Sequence, residues 1–153
     1  MSSPSFLQKI LTMALTAIAI FVATLPAFAE VYLSKGDGKG FPTKQSATTF
    51  HCNDKIFGIA SGKWPANSEH LLEAYWTDPQ GKQREHTRYK FIAGKDQTQT
   101  WAWLLLHPAE PDILERLMMQ GNDSMLEFNG EWKVNFFVDG QSIGKLTFRV
   151  ICE

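Results

Sequence analysis

The chain has 153 residues, with 15 Lys and Arg against 16 Asp and Glu, and a formal net charge of −1 at pH 7. This length is enough for one domain with a substantial buried core. The near-neutral charge disfavours nucleic acid as the main partner, because proteins that bind it carry a strong basic excess. Aromatic residues make up 12% of the chain, a content that excludes disorder over most of its length.

The first 29 residues have the composition of a secretory signal. Lys9 is their single charged residue, residues 10–25 are apolar, and the Ala-Phe-Ala tripeptide at 27–29 supplies the small residues that a signal peptidase reads. We expect cleavage before Glu30, with an uncleaved membrane anchor as the alternative. No cysteine precedes Cys52, which excludes a lipoprotein acylated directly after its signal. The cleaved chain is expected to be periplasmic or secreted and free of the membrane.

Residues 30–47 are predicted to be a flexible lead-in to a domain that spans residues 48–153. Gly36, Gly38, Gly40 and Pro42 occur there among lysines, and few residues are apolar. The Gly-x-Gly-x-Gly pattern does not indicate a phosphate-binding loop. The Lys-Ser/Thr sequence that follows such loops and a strand–loop–helix frame are both missing.

Three strands are predicted between residues 48 and 93. Residues 48–60 form the first, with a bulge or break at Asn53-Asp54, and residues 70–77 form the second. Residues 78–81, Asp-Pro-Gln-Gly, are typical of a β-turn. Residues 82–93 alternate, so one face of the third strand carries the basic side chains Lys82, Arg84, His86, Arg88 and Lys90.

Residues 98–107 are apolar on both faces of a predicted strand, with Trp101 and Trp103 together on one face. Such a strand is expected at the centre of a sheet and covered on both sides. We expect a short helix from Pro111 to Gly121 to provide the cover. Its buried stripe would be Ile113, Leu114, Leu117 and Met118.

Residues 131–152 predict a β-hairpin with one apolar face. Before a turn at 139–144, that face carries Trp132, Val134, Phe136 and Val138. After the turn, it carries Leu146, Phe148, Val150 and Cys152. Such a face cannot remain in water, so the rest of the domain must cover it.

The two cysteines, Cys52 and Cys152, predict a disulfide bond in an exported chain. Cys52 shares a strand face with Phe50, and Cys152 shares one with Val150, so both thiols should point into the core. Two buried free thiols, or a bridge to another chain, are the alternatives.

About six or seven short strands, one short helix and a disulfide from the first strand to the last are typical of an all-β sandwich. Residues 71–81 and 130–140 read as sandwich strands that meet at hairpins. Through them the segment from Thr48 to Cys152 resembles the small immunoglobulin-like or fibronectin-III-like domains that bacteria export. The resemblance implies an immunoglobulin-like antiparallel β-sandwich with one short helix. It implies no particular function, since the Cys…Trp…Cys spacing of antibody domains is absent.

Two groups of side chains are candidate binding sites. The basic strand offers either a docking face for an acidic partner or charges that discourage edge pairing. Trp101 and Trp103 offer a platform for a sugar ring, with burial in the core or against a partner as the alternative. The candidate binding residues are Arg84, His86, Arg88, Lys90, Trp101 and Trp103.

No motif for catalysis or metal binding stands out. His51 and Cys52 are adjacent, so on a strand their side chains point to opposite faces, and no Gly-x-Ser-x-Gly occurs. The histidines, His51, His70, His86 and His107, lack the spacing of a metal site. We therefore expect a non-catalytic exported binding or accessory domain that contacts another protein or a cell-envelope component and needs no cofactor. A carbohydrate- or metal-binding module is the alternative.

Overall fold

The computed structural model of the chain describes residues 29–106 and 123–152. Within them, no helix is long and apolar enough to cross a membrane. Their strands are β1 (Glu30–Gly36), β2 (Pro42–Ser46), β3 (Thr49–His51), β4 (Ile56–Gly62), β5 (Glu69–Thr77), β6 (Gln83–Ile92), β7 (Thr98–Leu104), β8 (Gly130–Val138) and β9 (Gln141–Ile151). A 3-10 helix (Asp123–Phe128) precedes β8.

The strands form two sheets that pack as an all-β sandwich. The four-stranded sheet has the order β2-β1-β4-β7, and the five-stranded sheet has the order β3-β9-β8-β5-β6. Neighbouring strands are antiparallel except β3 and β9, which run parallel. The predicted all-β class is therefore confirmed, and the predicted antiparallel pairing holds for every neighbouring pair of strands except this one.

The hairpin of β8 and β9 has the apolar face that its sequence predicts. Trp132, Val134 and Phe136 are completely buried. The two residues of the turn, Asp139 and Gly140, have φ angles of 51° and 77°. This left-handed backbone suits the twist of a tight hairpin, and Asp-Gly is a favoured sequence for it. The turn is therefore shorter than the predicted turn at 139–144.

Side chains from both sheets fill the space between them. Trp76 of β5 meets Phe136 of β8 edge to face, with ring centroids 6.3 Å apart. Gly58 of β4 lies directly opposite Phe136, and any side chain at Gly58 would overlap that ring. The two sheets therefore come close together at Gly58, where β4 has no side chain.

The internal disulfide predicted from the sequence is confirmed. Cys52 and Cys152 are bonded to each other, with Cα atoms 5.1 Å apart and a sequence separation of 100. The parallel pairing of β3 with β9 brings the two cysteines together, because each follows the end of its strand. Asn129 holds the same end of β9, since its side-chain amide donates to the carbonyl of Cys152 and accepts from its backbone N–H.

Residues 30–47 are not the flexible lead-in that their composition predicts. β1 pairs with β4 over six residues, from Glu30 opposite Ser61 to Lys35 opposite Ile56, and β2 pairs with β1. Leu33 of β1 joins the hydrophobic core. Pairing with a strand that follows later in the chain orders this segment, and composition alone does not reveal such pairing.

Two further expectations change in the folded chain. The predicted strand 48–60 divides at Asn53-Asp54 into β3 and β4, which belong to different sheets. β7 lies at the edge of the four-stranded sheet, within the described residues, rather than at a sheet centre. Residues 1–28 of the predicted signal and the predicted helix at 111–121 lie outside the described residues.

Candidate functional site

The predicted basic face of β6 carries its charges beside acidic partners. His86, Arg88 and Lys90 lie opposite Tyr75, Glu73 and Leu71 of β5, on the outer face of the five-stranded sheet. The Nζ of Lys90 is 2.8 Å from Glu69, and both His86 and Arg88 lie close to Glu73. β6 is also an edge strand within the described residues. These charges balance locally, which favours their role in discouraging edge pairing over an anion site.

Arg84 has a structural role at the end of β6. Its Nε lies 2.5 Å from Asp78, whose side chain is completely buried in the β5–β6 turn, and its Nη2 lies 2.9 Å from Glu127. Burial acts to raise the pKa of Asp78, but the hydrogen bonds from Arg84 and the Lys82 amide outweigh it and lower the pKa. Arg84 thus joins the turn to the 3-10 helix, and its guanidinium is engaged by Asp78 and Glu127 rather than free to bind a ligand.

A cleft of about 400 Å³ opens between β6 and β7, the edge strands of the two sheets. We call it the aromatic cleft because Tyr89 and Trp103, exposed to 54% and 45%, stand at its sides. Its volume falls in the range of small-ligand and peptide sites. The lining residues are Glu85, Thr87, Arg88, Tyr89, Trp101, Ala102, Trp103 and Leu105.

Thr87 fixes the distance across the aromatic cleft. Its hydroxyl accepts a hydrogen bond from Trp76 Nε1 at 3.1 Å and donates to the Trp103 carbonyl at 3.3 Å. One hydroxyl therefore joins a buried core side chain of one sheet to the edge backbone of the other. The two strands that border the cleft are thus joined to each other through Thr87.

Trp101 and Trp103 lie on the same face of β7, as the alternation predicts, opposite Ile59 and Phe57 of β4. The other face of β7 is buried in the sandwich core through Ala102 and Leu104. The second sheet therefore covers that face, and the helix predicted to cover β7 lies outside the described residues. On the outer face, Trp103 is exposed and Trp101 is half-buried.

The aromatic surface continues beyond the cleft across the four-stranded sheet. Trp101 also lines a second depression, of about 440 Å³, and meets Phe41 edge to face with ring centroids 6.4 Å apart. On the other side, Lys55 Nζ lies 4.2 Å from the ring centroid of Trp103, a cation–π contact. The surface is thus aromatic in the middle and basic at its margin.

A second arrangement, absent from the sequence-based expectations, brings Ser68, His70 and Asp139 together. His70 Nδ1 lies 2.7 Å from Asp139 Oδ2, and His70 Nε2 lies 3.0 Å from Ser68 Oγ. These are the contacts of a Ser-His-Asp triad. Ser68 directly precedes β5, His70 lies at the start of β5 and Asp139 lies in the β8–β9 turn, so sequence spacing gave no signal for them.

The protons of this arrangement are placed for structure rather than nucleophilic attack. The Ser68 hydroxyl has one proton, which it donates to the Pro65 carbonyl at 2.5 Å. His70 Nε2, 3.0 Å from the same carbonyl, must therefore donate as well. The hydrogen bonds to Asp139 and Pro65 raise the pKa of His70. A ring that donates hydrogen bonds from both nitrogens has no free lone pair to act as the general base that a serine nucleophile requires.

Metal ligands do not cluster among residues 29–106 and 123–152, where no three His, Cys, Asp or Glu side chains come close enough to hold an ion. His51, His70 and His86 lie on different strands, and His107 lies outside those ranges.

Comparison with known proteins adds no assignment. No protein-family model matches the chain, and no curated protein is significantly similar to it in sequence.

Proposed function

We propose that this protein is an exported, non-catalytic binding domain and that the aromatic cleft is its contact surface. The observation that carries the proposal is the exposure of Tyr89 and Trp103 on either side of one cleft. Large aromatic side chains are costly to leave in water, and residues of this kind supply much of the binding energy at protein interfaces. An exposed aromatic surface of this kind marks a site of contact with a partner.

We also propose an immunoglobulin-like topology for the sandwich. The order β9-β8-β5-β6 corresponds to strands G, F, C and C′ of that fold, and the pairing of β4 with β7 corresponds to strands B and E. β1 then takes the place of strand A beside β4. The disulfide differs, since it joins the loop after β3 to the end of β9 rather than two core strands. Many unrelated binding proteins use such sandwiches, so the topology fits the proposed role without identifying a partner.

Export is supported by two independent features. Residues 1–29 have the charged start, apolar middle and Ala-x-Ala end of a secretory signal. The Cys52–Cys152 bond closes a loop of 100 residues, and structural disulfides of this kind persist in oxidising compartments. The proposed location is therefore the periplasm or the extracellular space, and the proposed partner is a protein or another envelope component.

The test compares two substitution sets on the purified, disulfide-bonded protein. In the first, Trp103→Ser is combined with Tyr89→Ser; in the second, Leu126→Ser removes an exposed apolar side chain that lies outside the cleft. Each is immobilised and used to retain partners from the envelope fraction of cells that export the protein. We expect about tenfold weaker retention with the first set, since hot-spot aromatics cost at least that much on truncation. Equal retention by both sets would refute the role of the cleft.

A carbohydrate ligand is the second candidate for the same cleft. Glu85, Thr87 and Arg88 place polar groups beside the exposed rings of Tyr89 and Trp103. A sugar offers both an apolar face and hydroxyl groups, which suits such a mixed lining. Titration of glycans against tryptophan fluorescence tests this candidate. A signal that Trp103→Ser removes would support it, and the absence of any response across the panel would eliminate it.

A further inference from the structure

We infer that His70 is a pH-operated latch, which holds the loop between β4 and β5 while its ring is protonated and releases that loop when the ring is neutral. The loop comprises residues 63–68, between Gly62 of β4 and Glu69 of β5. Histidine is the side chain whose charge ordinarily changes between pH 5 and 8, and histidines serve as pH sensors for this reason. This role does not involve the aromatic cleft.

The His70 ring is enclosed by three parts of the chain. Only 6% of the residue is exposed, and the ring of Phe91 in β6 lies beside it with centroids 5.5 Å apart. Nδ1 donates to Asp139 of the β8–β9 turn at 2.7 Å, and Nε2 donates to the Pro65 carbonyl of the loop at 3.0 Å. Both nitrogens must carry a proton for these two bonds to exist together, so the arrangement depends on the cationic ring.

Asp139 is the charged group that faces the His70 ring among the described residues. Its other carboxylate oxygen accepts the Leu71 N–H at 2.9 Å, and its own N–H donates to the Leu71 carbonyl at 3.0 Å, so the carboxylate is fixed against β5. Glu69 lies on the opposite face of β5, where it pairs with Lys90, and the contacts from β6 and from the loop are uncharged. The hydrogen bond to this fixed carboxylate raises the pKa of His70 because it favours the protonated ring.

Loss of one proton from the His70 ring changes the bonds of the Pro65 carbonyl. The proton on Nδ1 stays, because a carboxylate is a stronger acceptor than a peptide carbonyl. Nε2 then presents a lone pair to the Pro65 oxygen 3.0 Å away, and two acceptors at this distance repel each other. The Ser68 hydroxyl donates to Pro65 at 2.5 Å but also lies 3.0 Å from Nε2, so its single proton can turn to Nε2 instead. The Pro65 carbonyl thereby loses the two donors that hold it.

Two sets of contacts attach the loop to the sandwich, and the latch controls one of them. Residues 67–68 are joined to the backbone at the end of β6 by hydrogen bonds of 2.9 and 3.3 Å, in which no titrating group takes part. Residues 63–66 rely on the Pro65 carbonyl and on Trp64, whose ring packs edge to face on Phe91 with centroids 5.1 Å apart. Neutral His70 therefore frees the first half of the loop and leaves the second half in place.

Limited digestion with trypsin tests the latch on the purified, disulfide-bonded protein at pH values from 6 to 9. The measured quantity is the ratio of cleavage after Lys63, in the loop, to cleavage after Lys39, in the exposed β1–β2 turn, because the pH dependence of trypsin itself cancels in that ratio. We expect the ratio to rise about tenfold with pH, since loss of two hydrogen bonds favours opening by about that factor. The midpoint of the rise should equal the midpoint at which the His70 ring titrates in NMR spectra of the same protein.

Four substitutions separate the latch from a general effect of pH. His70→Gln should make the ratio independent of pH, whereas His86→Gln, which alters another histidine beside a carboxylate, should keep the response of the parent. Asp139→Asn should move the midpoint to lower pH, because it removes the charge that favours the protonated ring. Ser68→Ala should raise the ratio at pH 6 and leave it unchanged at pH 9, because the hydroxyl holds Pro65 only while the ring is cationic.

Three results would overturn the latch. A ratio that stays constant with pH in the parent protein would show that the loop is held equally in both states of the ring. A rise that persists in His70→Gln would show that another group drives the opening. A midpoint that differs from the NMR titration of His70 would separate the opening from the loss of its proton. The proposed function of the aromatic cleft stands or falls separately, by retention of partners.

Discussion

Gly58 gives the sharpest test of how the two sheets pack. A Cβ atom at this position would lie 2.3 Å from Cζ and 2.7 Å from Cε1 of Phe136, and 3.3 Å from Cη2 of Trp76. Carbon atoms in contact stay about 3.5–4.0 Å apart, so the Phe136 ring would have to move by about 1 Å. Phe136 and Trp76 are both completely buried, and close-packed neighbours restrict such a movement.

The expected cost of Gly58→Ala follows from these contacts. Overpacking of a filled core costs about 1–3 kcal/mol, and the lower chain entropy of unfolded alanine returns about 0.4–1 kcal/mol. We therefore expect the free energy of unfolding to fall by about 1–2 kcal/mol and the melting temperature to fall by about 4–8 °C. Urea unfolding followed by tryptophan fluorescence measures the first quantity, and calorimetry measures the second.

Two further variants make the result specific to the contact. Gly94→Ala is the matched control, because its nearest neighbour is Thr98 Oγ1 at 3.7 Å, and we expect a change within about 0.5 kcal/mol. Phe136→Leu removes the part of the ring that overlaps, so combining it with Gly58→Ala should give a coupling energy of about 1 kcal/mol. A Gly58→Ala protein as stable as the parent would show that β4 and β8 do not approach in this way.

Three other predictions concern stability. Reduction of the Cys52–Cys152 bond should lower the free energy of unfolding by about 4–5 kcal/mol, as the chain-entropy relation gives for a loop of 100 residues, and denaturant titration with and without reductant checks this. Asp139 raises the pKa of His70 above 6.5, so the stabilisation from this pair is fully present below pH 6.5 and is lost as the pH rises through the folded pKa. The free energy of unfolding should therefore decline over that pH range. His70→Gln should flatten the decline when unfolding titrations are carried out at several pH values. Arg84→Ala leaves the buried carboxylate of Asp78 in the β5–β6 turn without its cation and should lower the free energy of unfolding by about 3 kcal/mol. Thermal unfolding measures this change, and an unchanged melting temperature would contradict the buried ion pair.

The candidate site was only partly predictable from the sequence. Alternation placed Trp101 and Trp103 on one face and the β6 cations on another, because side chains of a strand point to opposite faces in turn. It did not reveal Tyr89 as the opposite side of a cleft, since Tyr89 and Trp103 belong to different sheets. Nor did it show that Glu73 and Glu69 neutralise the cations, because those contacts depend on the register of β5 against β6.

Local sequence patterns were sufficient to predict the features that involve only a few neighbouring residues. These are the two-faced hairpin at residues 131–152, the turn at residues 78–81 and the inward direction of Cys52 and Cys152. Alternation and turn chemistry are local, so they can be recognised without knowledge of the rest of the chain.

The neighbour of each strand became known only from the folded chain. It placed β7 at an edge, divided residues 48–60 between two sheets and paired β1 with β4. It also brought His70 to Asp139 across 69 positions of sequence. Strand order and register depend on how distant apolar faces bury one another, and many pairings are compatible with the same local alternation.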